Sequence, residues 1–183
     1  MKINFPILLL GLILAACASR IDTNVKPAYE SKSQIPLNAA SVLVKYDFNP
    51  TVKTPGTDHL FSRSLTQGVE RWVNARLRPA GQFGIAQVTV RDASILELPD
   101  YQTPEKFEGR LDVKIALIDQ RGTVIAQAEA KVKRAKTAPR NISEEERRDL
   151  TNVVVTEVIN DLDKQMEEAI LKMASGVPIY PSR

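Results

Sequence analysis

Cys17 is the only cysteine and His59 the only histidine among 183 residues. That count removes a disulfide framework, a multi-cysteine zinc site and a Cys–His catalytic pair with spare copies. The nearest thing to a hydrolase cluster is Asp58-His59 with Ser62 and Ser64, because His59 and Ser62 stand three apart and could meet on a helix. No strand-to-helix nucleophile elbow and no oxyanion loop accompany it. Thr57 and Asp58 therefore read as capping residues and His59 as a polar residue of a first helical turn. Gly81-Gln82-Phe83-Gly84 precedes no capped amphipathic helix and offers no phosphate cradle. Glu144-Glu145-Glu146 falls where a helix N-terminus favours acids, which explains it without a metal. These residues predict no enzyme activity, no cofactor and no metal.

The densest cationic cluster is Lys131, Lys133, Arg134, Lys136 and Arg140. Two readings are open. It is either a contact for anionic lipid headgroups, lipopolysaccharide phosphates or an acidic protein face, or a solvated strand end and loop partly neutralised by Glu144 to Glu146. Over the whole chain 25 Lys+Arg face 22 Asp+Glu, for a formal net charge of +3. That excess is no nucleic-acid signature, although the sequence pI is about 9.0.

The surroundings of Cys17 carry the clearest chemical message. Lys2 is a short positive start, and residues 5–16 are an apolar run broken only by Pro6 and Gly11. A dozen residues is too short for a ~30 Å hydrocarbon core but has the length of a signal-peptide centre. The run ends in Leu14-Ala15-Ala16-Cys17, followed by Ala18 and Ser19. This tetrapeptide resembles the lipobox of bacterial lipoproteins. The resemblance implies cleavage before Cys17 and acylation of its thiol and new amino group. At ~0.8 kcal/mol per buried CH₂, two or three chains make a lasting membrane anchor. Ala18 in place of Asp implies, by the same resemblance, the outer membrane on its periplasmic side.

The elements that would follow the anchor are legible by period. Residues 17–40 hold Pro27, Pro36 and many small polar residues without sustained periodicity. They predict a flexible tether with a root-mean-square reach of roughly 25 Å. The alternative is an irregular arm that packs through Ile35 and Leu37. A single domain is expected over 41–176 and a short tail over 177–183. Val42, Val44, Tyr46 and Phe48 alternate as a strand. A helix follows to about residue 78, with Leu65, Val69, Trp72 and Val73 on one stripe. Strands are expected over 87–98, 107–118 and 123–134, the last two joined by a hairpin at Asp119-Gln120-Arg121-Gly122. A basic loop is expected over 133–141. Ser143 and Glu146 then form a capping box for a long helix whose stripe runs through Leu150, Val154, Val158, Leu162 and Met166.

These elements predict an α+β fold: a two-layer sandwich with two amphipathic helices on one face of a four-stranded, mainly antiparallel sheet, in the order β-α-β-β-β-α. The place of the first strand stays open. Lipobox, tether and element order together resemble small envelope lipoproteins such as the lipopolysaccharide-assembly and YajG-type lipoproteins. That resemblance implies a non-catalytic accessory module docking on an envelope protein complex, or a binding module for an amphipathic anionic ligand. No site residue carries over beyond Leu14 to Cys17.

Overall fold

The computed structural model describes residues 26–48, 58–98, 105–139 and 142–176. Cys17, Arg140, the expected signal segment 1–16 and the tail 177–183 lie outside the described residues. The chain runs through a short 3-10 turn (Ala28–Ser31), β1 (Ile35–Leu37), β2 (Ser41–Tyr46), α1 (Asp58–Arg76), β3 (Leu77–Pro79) and β4 (Ile85–Leu98). It continues through β5 (Glu105–Ile118), β6 (Val124–Ala138) and α2 (Glu144–Gly176).

The fold is α+β, with two helices and two sheets. The main sheet has the order β2-β4-β5-β6. β4, β5 and β6 form an antiparallel meander, and β2 runs parallel to β4. The parallel pair needs a crossover longer than a turn, and α1 lies within it. The sheet is therefore mixed. The described residues hold six strands where four were expected, because β1 and β3 pair with each other as a separate parallel ladder. Three residues each is too short to show a period.

Alternation decides the faces. Ala86, Val88 and Val90 of β4, Leu111, Val113 and Ile115 of β5, and Ala128, Ala130 and Val132 of β6 are buried in one core. They share it with Leu65, Val69 and Trp72 of α1 and Val154, Val158 and Leu162 of α2. The alanines of β6 and Gly109 of β5 let α2 sit close. A Cβ on Gly109 would come within 2.8 Å of Val154 and 2.9 Å of Val158.

The local signals read from the sequence are present. The Ser143 N–H donates to Glu146 Oε2 at 2.8 Å, and the Glu146 N–H donates to Ser143 Oγ at 3.2 Å, closing the capping box. In the β5–β6 hairpin Asp119 Oδ1 accepts from the N–H groups of Arg121 and Thr123, and Gly122 takes the positive φ of 81°.

Two expectations need correction. The basic loop expected from residue 133 is strand: β6 continues to Ala138. Its charges did not stop it, because carboxylates on neighbouring elements pair with them. The segment 17–40 is not tether throughout. Tyr29, Leu37 and Ala39 are buried in the core, and β1 lies in this stretch. Of the two readings, the packed arm holds for residues 28–40.

What holds that arm is a buried ion cluster. Asp163 Oδ1 accepts from Trp72 Nε1 at 3.0 Å and from Arg76 Nε at 2.6 Å, while Oδ2 lies 2.7 Å from Lys32 Nζ. Glu167 stands 3.0 Å from Lys32 and 3.1 Å from Arg76. Asn160 Oδ1 accepts from the Ala28 N–H at 2.7 Å. One carboxylate thus joins α1, α2 and the arm. Burial pushes the Asp163 carboxyl up, but hydrogen bonds from Lys32, Arg76 and Trp72 outweigh it and hold the group below its usual range.

The side chains of Arg76 and Asp163 are 1% and 2% exposed, so removing one partner leaves a desolvated charge. Asp163→Leu should therefore cost about 3–5 kcal/mol in urea unfolding. Lys32 is 38% exposed, and Lys32→Met should cost about 1 kcal/mol or less. An Asp163→Leu loss as small as that of Lys32→Met would contradict the buried cluster.

Candidate functional site

The second face of the main sheet carries the charge. Register places Lys45 of β2, Arg91 and Asp92 of β4, Lys106, Glu108, Arg110, Asp112 and Lys114 of β5, and Glu129, Lys131 and Lys133 of β6 on this side. Among the described residues that is seven cations against four carboxylates. The excess is positive, and Glu108, Asp112 and Glu129 are held in ion pairs.

At the centre, Arg91 bridges two strands. Its Nη2 donates to Asp112 Oδ1 at 2.7 Å and to Glu129 Oε2 at 2.9 Å. It sits at a register shift in β4 between Val90 and Asp92, which turns an extra residue onto this face. The Arg91 contact holds the Glu129 carboxyl below its usual range. Lys131 lies 3.2 Å from Asp112 Oδ2.

One step along β5, Glu108 is roofed by three cations. Arg110 Nη2 is 2.7 Å, Lys133 Nζ 3.0 Å and Lys106 Nζ 3.2 Å from its carboxylate. The Glu108 side chain is only 1% exposed, while Lys133 above it is 61% exposed. Burial pushes this carboxyl up, and the three cations together bring it down to about 2. Beside the roof is a shallow open depression of about 210 Å³, lined by Asp92, Arg110, Asp112, Lys131 and Lys133 among others.

Of the five basic residues singled out in the sequence, the four described ones do not form one patch. Lys131 and Lys133 face the open side of the sheet, with Asp112 and Glu108 as partners. Arg134 and Lys136 alternate with them onto the helix side. There Arg134 pairs with Asp161, and Lys136 lies 2.7 Å from Glu157 of α2. Their neutralisers are not Glu144 to Glu146. Arg140 lies outside the described residues. The cations of this face that the sequence reading missed are Lys45, Arg91, Lys106, Arg110 and Lys114. Their signal was there: Glu108, Arg110, Asp112 and Lys114 alternate with the core residues of β5.

Chemically this arrangement can recognise charge. Carboxylates held low by adjacent cations are poor proton donors or acceptors near neutrality. Among the described residues no group of three or more His, Cys, Asp or Glu side chains could hold a metal ion. His59 and Ser62 fall within the first turns of α1. Among the described residues no helix is long and apolar enough to cross a membrane.

The Glu108 roof predicts an acid dependence. A carboxyl depressed in the fold stabilises above its unfolded value, about 4.3, and that stabilisation is lost as pH falls through the folded value. Glu108→Gln should lower stability by about 1–3 kcal/mol at pH 7. It should also flatten the fall of stability between pH 5 and pH 2 relative to the parent, read as urea midpoints across that range. Identical pH profiles would show that Glu108 titrates as it does in the unfolded chain.

No protein-family model matches the chain, and no curated protein matches it in sequence. Solved structures do align with it at low similarity. The minor lipoprotein of Acinetobacter baumannii aligns at 14% identity over 73% of this chain and 94% of its own, with a TM-score of 0.41. The rare lipoprotein B of Shewanella oneidensis aligns at 9% identity over 74% and 96%, with a TM-score of 0.40. PelC of Paraburkholderia phytofirmans, solved as a dodecamer, aligns at 17% identity over 74% and 92%, with a TM-score of 0.33.

Proposed function

We propose that this chain is a lipid-anchored accessory protein of the bacterial cell envelope. Acyl chains on Cys17 hold it to the outer membrane on the periplasmic side, and its open charged sheet face docks on an envelope protein complex. The observation that carries the reading is Leu14-Ala15-Ala16-Cys17 at the end of a short apolar run. Only a thiol at that position can form the thioether of a lipoprotein.

The fold adds a constraint. Because the arm is held from Lys26 onward, only eight residues separate it from Cys17. A coil of that length has a root-mean-square reach of roughly 16 Å and spans at most about 30 Å when extended. A domain on so short a leash works beside its own membrane. Its partner would be an acidic surface, because the open face carries more cations than carboxylates.

A second reading rests on the depression between Arg110, Lys131 and Lys133. Exposed ammonium and guanidinium groups there could take the phosphates of an amphipathic ligand such as lipopolysaccharide or phospholipid. In either reading the work is binding and no bond is made or broken.

Cys17→Ser tests the anchor. Cells fed a clickable fatty acid should label the parent protein and leave the variant unlabelled, and the variant should leave the membrane fraction. Equal labelling of both would end the lipoprotein reading.

A further inference from the structure

Seven large apolar side chains are exposed among the described residues, and five of them stand at one end of the main sheet: Leu43, Phe83, Ile85, Val124 and Ile125. Register brings them together. Ile85 pairs with Ile118, and Ile118 with Val124, while Ser41 pairs with Ile85 on the other side. The Ala40 N–H donates to the Gly84 carbonyl at 3.1 Å, which fixes the turn carrying Phe83 beside the start of β2. Phe83 is 64% exposed, and Val124 and Ile125 are 51% and 50% exposed. The remaining two behave differently. Tyr46 donates its hydroxyl to Glu70, and Leu171 is on α2 and not on the sheet.

Scattered exposed leucines are ordinary, but a contiguous apolar end on a small domain marks an interaction surface. Its rim carries Arg121 and Asp119 in the adjoining hairpin and Lys45 on β2. An aromatic and aliphatic tip with a polar rim that includes Arg121 and Lys45 suits the headgroup boundary of a bilayer.

We propose that this end of the sheet rests in the phospholipid surface that holds the Cys17 acyl chains. The proposal rests on the lipid-anchor reading and adds the orientation of the domain. Tether length argues for the membrane over a distant protein. The arm is pinned beside Asn160 and Asp161, and from Arg134, which pairs with Asp161, β6 runs ten residues back to Val124 at the sheet end, about 33 Å at ~3.3 Å per residue. The eight residues between Cys17 and Lys26 can span about 30 Å. The two lengths are comparable, so a tilted domain can bring the sheet end to the membrane that anchors it. Lipidation then does not leave the domain free to tumble. It makes a two-point attachment, and the charged face stands at an angle to the bilayer, open to a partner.

The test uses the full acylated chain in vesicles of phosphatidylethanolamine and phosphatidylglycerol that carry a nitroxide near the top of the acyl chain. Phe83→Cys, Ile125→Cys and Ala135→Cys each receive a fluorophore on the new thiol. Ala135 is exposed near the opposite end of the same sheet, paired with Glu108. Labels at 83 and 125 should lose about half of their emission to the nitroxide, because interfacial anchors sit roughly 5–10 Å into the headgroup boundary. The label at 135 should keep its emission. No quenching at 83 and 125, or equal quenching at all three, would overturn the proposal, the second by showing that the whole face lies flat. The parent without an added cysteine reports on the anchor separately. Blocked Cys17 takes no label, and a parent that labels would overturn the acylation reading and leave the quenching comparison to judge the sheet end.

Discussion

A buried carboxylate between two helices is costly unless every charge near it is answered. Asp163 meets that condition with three donors from two parts of the chain: Trp72 and Arg76 of α1 and Lys32 of the N-terminal arm. The rest of the architecture depends on it. If Asp163 faced apolar neighbours, the buried Arg76 would keep only Glu167, and the arm would lose the strongest polar contact it makes across the helices. With the cluster formed, the arm is drawn over α1 and α2, β1 reaches β3, and the chain enters β2 at a fixed point. Apolar burial supplies most of the driving force, but the ion cluster selects one arrangement of arm and helices.

This has a functional consequence. An anchor tied to a floppy segment lets a domain wander. An anchor tied to a pinned arm limits the distance and the poses a domain can take. The helices pack one face on the sheet with the arm crossing them locally, and the charged side of the sheet is left uncovered by any described element. That side is stiffened by pairs such as Arg91 with Asp112 and Glu129, so its exposed cations are presented from a rigid lattice. Recognition of an acidic surface gains from such preorganisation, because fewer side chains must be ordered on binding.

Much of the fold was legible because its signals are local. The alternation of β5, the Ser143–Glu146 box, the Asp119–Gly122 turn and the stripe of α2 each need only neighbouring residues, and each is found in the structure. The failures come from long-range pairing. Lys133, Arg134 and Lys136 look like loop residues until Glu108, Asp161 and Glu157 are brought beside them from β5 and α2. Residues 28–40 look like tether because what orders them lies more than a hundred positions away, at Asn160 and Asp163. The parallel placement of β2 is set by α1 crossing between it and β4, which no alternation in β2 reveals. The charged face was half visible: β5 displayed it, but only the register of three strands shows which cations share it.

The central claim is that residues from Ala28 onward belong to the folded body. Native-state hydrogen exchange on the full chain tests it directly. The Ala28 N–H bonded to Asn160 and the Ala40 N–H bonded to the Gly84 carbonyl should open with a free energy close to that of core amides such as Val158. Exchange of Ala28 and Ala40 at the rate of an unstructured peptide, with Val158 still protected, would contradict the account and return the arm to a tether.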